Sequence, residues 1–200
     1  MATKTKAAST TTPNEVTPEE IDRHYTFRKV AKFRKVSFEQ FKHDMIDCGF
    51  NLPDAVMKEA YDAIKLPVRA TLGSAGYDFF SPIPFALSNM TVNPRGTTFP
   101  TGIQCELHPD FCLIMIPKSG LGIKQYSRLG NCVGLIDRDY IFSDNEGDIF
   151  VNIRSDIPGN PPVEIRAGQA ICQGVILPFG TTDDDETTEA RNGGLGSTGK

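Results

Sequence analysis

Five short segments combine polar, charged and glycine residues in ways that can hold an anion or activate a water. Pro117-Lys118-Ser119-Gly120-Leu121-Gly122 directly follows the apolar run FCLIMI. A strand end opening into a glycine-containing turn, with an ammonium and a hydroxyl on it, can cradle a phosphate, although such turns are also ordinary surface features. Asn131 to Tyr140 (NCVGLIDRDY) carries an apolar stretch into a turn with two carboxylates and an aromatic ring. Asp137 follows an apolar pair, so partial burial can place it to orient and deprotonate a water; an Asp-rich hairpin turn is the ordinary alternative. Gln173 lies inside the apolar run AICQGVIL. A buried amide needs partners, from backbone or from a ligand. Asp78, in GSAGYDFF, can serve the hydration shell of a divalent cation, though a lone Asp on a strand is commonly structural. The last segment is the ending RNGGLGSTGK. Its glycines and hydroxyls let backbone N–H groups approach phosphate oxygens closely, and Arg191 adds a bidentate charge. The alternative is a flexible tail. It is not a Walker P-loop, because the spacing fails and no helix follows.

The composition limits what these segments can serve. There are 21 Lys and Arg against 25 Asp and Glu, a formal net charge of −4. Nothing pulls the whole chain toward nucleic acid, so a polyanionic ligand must be held by a local donor cluster. The seven basic residues between Arg23 and Lys42 read as a solvated face. Cys48, Cys105, Cys112, Cys132 and Cys172 form no C-x-x-C pair and are odd in number; they read as small thiols in a reducing cytoplasm rather than as a disulfide framework or zinc site. His24, His43 and His108 match no metal-ligand spacing. No apolar run approaches the roughly 18 residues of a membrane span, and the opening MATKTKAASTTTPNEV has no hydrophobic core of a secretory signal.

The elements that must position the five segments follow from periodicity and turn signals. Residues 1–18 are too polar to pack and read as a disordered tail. Residues 19–65 read as a helical extension. Ser37 and Gln40 form a capping box ahead of Phe38, Phe41, Met45 and Ile46, with Gly49 as the stop. Pro53 opens a second helix with Val56, Ala60 and Ile64 as its stripe. Residues 66–179 alternate short apolar or β-branched runs with turn signals: SPIP, NPRG, PTG, HPD, PKSG, PGNPP and RAGQ. With 18 glycines and 14 prolines in 200 residues, the expectation is a mainly β domain, a jelly-roll-like sandwich or barrel. Its strands are expected at Gly102–Glu106, Phe111–Pro117, Ile149–Arg154 and Ala170–Leu177, without intervening helices. Residues 180–200 read as an acidic linker followed by a flexible, glycine-rich C-terminal arm.

Taken in order, SAGYDF, PKSGLG, NCVGLID-x-DY, AICQGVI and R-x-GGLGSTG resemble the five motifs of the trimeric dUTPase family, spanning Ala75 to Gly199. The lead-in KLPVRAT-x-GSAGYDFFSP looks like members from Gram-positive bacteria and their phages. The resemblance implies a β jelly roll assembled as a homotrimer with active sites built from all three subunits. It also implies cleavage of dUTP to dUMP and pyrophosphate with Mg²⁺, which keeps uracil out of DNA and supplies dUMP for dTMP synthesis. By the same resemblance, Asp137 activates the water that attacks the α-phosphorus, and Tyr140 packs under the deoxyribose. Asn131 and hairpin backbone bind the uracil edge. Lys118, Ser119, Gly120 and Gln173 contact the phosphates, and Asp78 acts on Mg²⁺ through water. Arg191, Leu195, Gly196, Ser197 and Thr198 belong to an arm that closes over the nucleotide from another subunit. Neither a nucleic acid nor a membrane partner is implied.

The chain departs from the family pattern at four places. Lys118 stands where Arg is more frequent, which keeps the charge but loses the bidentate fork. Leu195 stands where a Phe commonly stacks on the base, and Ala170 where Arg is frequent. Tyr140 and Gly147 are seven apart rather than two, so IFSDNEGD carries five extra residues, read as an extended hairpin loop beside the pocket. Two other functions share the scaffold. A dCTP deaminase would need a Glu where this chain has Asn152. A regulatory protein-binding member could use the N-terminal segment or the loop 141–146.

Overall fold

A computed structural model of the chain describes residues 28–156, 161–189, 191 and 193. Its backbone runs β1 (Ala31–Lys35), α1 (Phe38–Asp47), α2 (Asp54–Asp62), β2 (Val68–Arg69), β3 (Tyr77–Phe80), β4 (Phe85–Leu87), β5 (Thr97–Pro100), β6 (Ile103–Leu107) and β7 (Phe111–Pro117). It continues through α3 (Ser119–Gln125), β8 (Ser127–Leu129), β9 (Gly134–Ile136), a 3₁₀ helix (Arg138–Phe142), β10 (Phe150–Ser155), β11 (Val163–Ile165) and β12 (Ala170–Pro178). Pairing between these strands is antiparallel throughout, in a five-stranded sheet β2-β3-β12-β7-β9, a three-stranded sheet β5-β10-β8, and the pairs β1-β6 and β4-β11. This is the mainly β, jelly-roll-like architecture expected from the regular turn signals.

The two longest apolar runs become the centre of the large sheet. β12 pairs with β7 from Cys172↔Pro117 to Pro178↔Phe111 and, on its other edge, sets Gln173 opposite Asp78 of β3. A strand flanked on both sides loses the polar alternation of an exposed edge, which is why FCLIMIP and AICQGVIL read as near-continuous hydrophobic stretches. Phe79, Leu113, Met115 and Ile171 of this sheet share one buried core with Phe99, Leu129, Val151 and Ile153 of the three-stranded sheet.

The N-terminal segment is more than a helical extension. β1 lies inside the basic stretch and pairs with β6 over five positions, from Ala31↔Leu107 to Lys35↔Ile103. The strand is legible only as the alternation Ala31, Phe33 against Lys32, Arg34. α1 and α2 then cover a second cluster of Val36, Phe41, Met45, Met57 and Ile83, joined to the main core by Phe50, Ile64 and Phe85. The buried stripes differ from the expected ones by one residue. Ile46 and Val56 are 44% and 45% exposed, whereas Met45 and Met57 are fully buried. Phe38-Phe41-Met45 and Met57-Ala60-Ile64 each hold one 3.6-residue face, and Ile46 and Val56 lie about 100° off it.

Two further expectations differ in detail. Helices do interrupt the strand succession, at α3 and at Arg138–Phe142. The extra residues after Tyr140 are not an open hairpin loop; they end the 3₁₀ helix and fold back beneath it. Gly147 makes that return, at φ +69°, where an added Cβ would lie 2.6 Å from the Ile141 Cα. The disordered-tail reading of 1–18 falls outside the described residues.

Candidate active site

Three of the expected residues meet at one end of the large sheet. Asp78 leaves the middle of β3, Gln173 sits opposite it on β12, and Lys118 follows the last residue of β7 as the N-cap of α3. The Lys118 ammonium donates to both Asp78 carboxylate oxygens, at 2.7 and 2.8 Å, in a partly buried setting. The Gln173 amide lies against Gly76: a Cβ on Gly76 would come within 2.6 Å of its Oε1. Glycine at 76 in SAGYDF thus makes room for the glutamine on the neighbouring strand β12, distant in sequence. Ser119 and Gly120 occupy the exposed first turn of α3, where helix N–H groups have no helical acceptor. The arrangement groups one cation, one carboxylate, one amide and free helix-start donors, a set suited to an anion accompanied by a hydrated cation.

A second group forms at the opposite end of β7. β9 pairs with β7 through Leu113↔Ile136, Ile114↔Leu135 and Met115↔Gly134, and Asp137 follows as the N-cap of the 3₁₀ helix. The Arg191 guanidinium bridges the carboxylates of Asp137 and Asp139 (3.0 Å from Nε to Asp139) and lies 5.6 Å over the Tyr140 ring. Gly193 accepts a hydrogen bond from the Ser143 hydroxyl, 3.2 Å. The described part of the C-terminal arm therefore rests on its own chain's hairpin. Tyr140 is buried and donates its hydroxyl to the Asp148 carbonyl, 2.9 Å. Burial pushes its phenol above the ordinary range, so it remains a protonated donor. An open hollow beside this group is lined by Asp137, Asp139, Phe142, Phe179 and Arg191.

Asn131 stands at the exposed turn between β8 and β9, at the mouth of a 380 Å³ cavity lined also by Met115, Gly134, Ile136, Val151 and Arg154. Asn152, the deaminase-diagnostic position, is engaged structurally: its amide donates to the Arg95 carbonyl (3.1 Å) and the Thr98 hydroxyl (2.7 Å), fastening β10 to the start of β5. Leu195, Gly196, Ser197 and Thr198 lie outside the described residues.

The sequence reading missed Asp139 as a ligand of Arg191, Phe142 as an exposed ring beside the hollow, and Glu146 and Asp148, which fasten the inserted residues to the start of α1 and to the β5–β6 turn. Asp139 and Phe142 carry a faint local signal, being respectively a second acid and an aromatic in a polar turn. Glu146 and Asp148 carry none, because their partners are distant in sequence.

Fold and site together define a jelly-roll protein with charged and amide donors gathered at the ends of its central strands. The profile of the dUTPase family matches residues 62–199, and the chain belongs to that family. It is 38% identical over 142 residues to the deoxyuridine 5'-triphosphate nucleotidohydrolase of Chromobacterium violaceum, covering 68% of this chain and 88% of that one. The dUTPase of Streptococcus mutans superposes with a TM-score of 0.52 at 30% identity, over 61% of this chain and 91% of its own. A dUTPase of phage 80alpha superposes at 0.55 over 86% of this chain and all of its own; at 17% identity that likeness is one of fold.

Proposed function

We infer that this chain hydrolyses dUTP to dUMP and pyrophosphate as a homotrimer with sites shared between subunits. The observation that carries the reading is the meeting of Asp78, Lys118 and Gln173, drawn from three distant segments, on neighbouring strands of a dUTPase-family sheet. Lys118, Ser119, the Gly120 backbone and Gln173 bind the phosphate chain. Asn131 and hairpin backbone take the uracil edge, where a base with exchanged donors and acceptors leaves buried groups unpaired.

Asp137 acts as general base. Its carboxylate holds a water and takes its proton as the water oxygen attacks the α-phosphorus; the bond from that phosphorus to the bridging oxygen breaks, and the electron pair leaves with pyrophosphate. A positioned base contributes about 10²–10⁴-fold and orientation of the triphosphate a comparable or larger share. Arg191 occupies the carboxylates and covers the Tyr140 ring in the free chain. Substrate entry requires Arg191 to leave, and its departure frees the base and bares the ring together. Tyr140 then supports the deoxyribose without room for a 2′-hydroxyl. Arg191, with Leu195, Gly196, Ser197 and Thr198, recloses over the phosphates and excludes water.

The residues present fit Mg²⁺ carried by the substrate rather than caged by the protein. Among the described residues no group of three or more His, Cys, Asp or Glu side chains is arranged around a metal. Asp78 alone offers a hard carboxylate beside the phosphate donors, which suits an ion that keeps most of its waters. Bound there, Mg²⁺ would neutralise phosphate charge. We place the protein in the cytoplasm, where its five free cysteines stay reduced; among the described residues no helix is long and apolar enough to cross a membrane.

The test is purified protein with Mg²⁺ offered dUTP, dCTP, dTTP and UTP in parallel, with products identified. Release of dUMP and pyrophosphate from dUTP alone is expected. Ammonia release from dCTP, or inertness toward dUTP, overturns the reading.

A further inference from the structure

The five extra residues after Tyr140 and the N-terminal helices form one fastened unit. Glu146 accepts from both the backbone N–H and the hydroxyl of Ser37, each at 2.7 Å, while the Ser37 hydroxyl oxygen caps α1 by accepting from the Gln40 N–H, 3.1 Å. A capping box would have Gln40 reach back to Ser37. Instead the Gln40 amide donates to Asp44, 2.8 Å, and the acid at the helix start comes from 109 residues away. Glu146 sits at φ +54°, a left-handed conformation that a non-glycine residue keeps only when its surroundings hold it there.

Two residues further on, the strap is tied down again. Asp148, fully buried, accepts from the Gly102 N–H at 2.9 Å, and its carboxyl group lies near that of Asp44 on α1, each with one buried oxygen that no other group satisfies. The Asp148 carbonyl accepts both the Tyr140 hydroxyl (2.9 Å) and the Asn145 amide (3.1 Å). The Tyr140 hydroxyl is thus held by the backbone of a loop that is fastened to the start of α1 through Glu146 and to the β5–β6 turn through Asp148 and Gly102.

We propose that Glu146 is a positioning residue of the active site: by clamping the 141–148 strap to Ser37 it makes the N-terminal helical unit set the height of the Tyr140 ring, and with it the rejection of a 2′-hydroxyl. This role rests on the dUTP-hydrolase reading. Two charge-assisted bonds at a helix N-terminus, where a carboxylate also meets the helix dipole, hold more firmly than an ordinary surface ion pair. The Tyr140 hydroxyl bonds the backbone of the same loop, so a displaced strap displaces the anchor of the ring.

The experiment uses the full chain carrying Glu146→Asn, which tolerates the left-handed backbone but is too short to reach Ser37, together with Ser37→Ala and the conservative Glu146→Gln. Amide exchange at Tyr140 and Ser143, whose N–H groups bond the Asp137 and Tyr140 carbonyls at 3.1 and 3.0 Å, is read without nucleotide. It should quicken about fivefold or more in the first two variants and return toward wild type in Glu146→Gln. With nucleotide, KM for dUTP should rise and the preference for dUTP over UTP should shrink by about the same factor, while kcat changes less than about twofold. A folded Glu146→Asn protein with wild-type exchange at both amides and wild-type nucleotide preference overturns the proposal. A wild-type protein inert toward dUTP counts against the functional reading alone, since the exchange comparison still decides the coupling.

Discussion

Asp137 and Lys118 stand at opposite ends of the same strand. The register Leu113↔Ile136 places Asp137 beside Cys112 of β7, and Lys118 lies six residues further on. At about 3.3 Å per residue, the two are about 20 Å apart along the strand. On the proposed reading, one chain does not bring its base to its phosphate donors, so the proposed site pairs Asp137 of one subunit with Lys118 of another. Asp137→Ala and Lys118→Ala should each abolish turnover, and refolding the two together should restore activity to about a quarter of wild type, the fraction of sites receiving both intact residues in a random closed trimer. Co-refolded protein as inactive as either parent would place base and phosphate donors on one chain.

Much of this arrangement is legible in sequence, for local reasons. β7 and β12 announce themselves as apolar runs because both of their edges are paired, and Ser37 announces α1 because its cap is three residues away. Asp78, Lys118 and Gln173 are recognisable by motif, although only the register explains why they meet. Long-range fastening leaves no such mark. Gln40 satisfies the capping-box pattern and is used elsewhere, because Glu146 arrives at Ser37 from a turn whose own spacing is irregular. β1 is obscured for a related reason: lysine and arginine occupy its solvent face, so charge density masks a period of two.

Asp137→Asn keeps the side chain's size and one accepting oxygen for Arg191 while removing the carboxylate that serves as proton acceptor in the proposed mechanism. Binding of dUTP should stay within about threefold of wild type, while kcat falls by about 10²–10⁴-fold. Calorimetry with a non-hydrolysable dUTP analogue and single-turnover kinetics separate the two quantities. A variant that still turns over near the wild-type rate would relieve Asp137 of its role.

Gly76→Ala tests the phosphate end of the site without touching a charge. The new Cβ would lie 2.6 Å from the Gln173 Oε1 and 3.3 Å from its Cβ and Cδ. The end of a flexible side chain can give way, so the fold should lose no more than about 1 kcal/mol. On the proposed reading the displaced amide no longer meets its phosphate, and a displacement of about 1 Å at a positioned donor can weaken function by one to two orders of magnitude. KM for dUTP should rise about tenfold with a nearly unchanged melting temperature. Unaltered kinetics in the folded variant would remove Gln173 from the phosphate contacts.

The Asp44–Asp148 pair makes stability depend on pH in a direction opposite to that of an ordinary salt-bridged carboxylate. Burial, and after it the Asp44 charge, push Asp148 well above the usual carboxylate range; burial raises Asp44 as well. The folded pair retains a proton that the unfolded chain gives up above about pH 4. Folding therefore takes up a proton: the pair's contribution is fully present below that pH and declines as pH rises through the folded-state range. The polar and ionisable groups facing it are Gln40, His43 and Cys48 from α1 and its end, and the Gly102 N–H. Asp148→Asn replaces the shared proton with an amide N–H to Asp44 and keeps an acceptor for Gly102. Urea unfolding at about pH 5 and about pH 8 should show the variant gaining on wild type as pH rises, by about 1.4 kcal/mol for each pH unit of the window that is crossed. His43 is common to both proteins, so its own titration cancels in the difference. A wild-type-minus-variant gap that stays constant between the two pH values would mean that the two carboxyl groups do not share a proton.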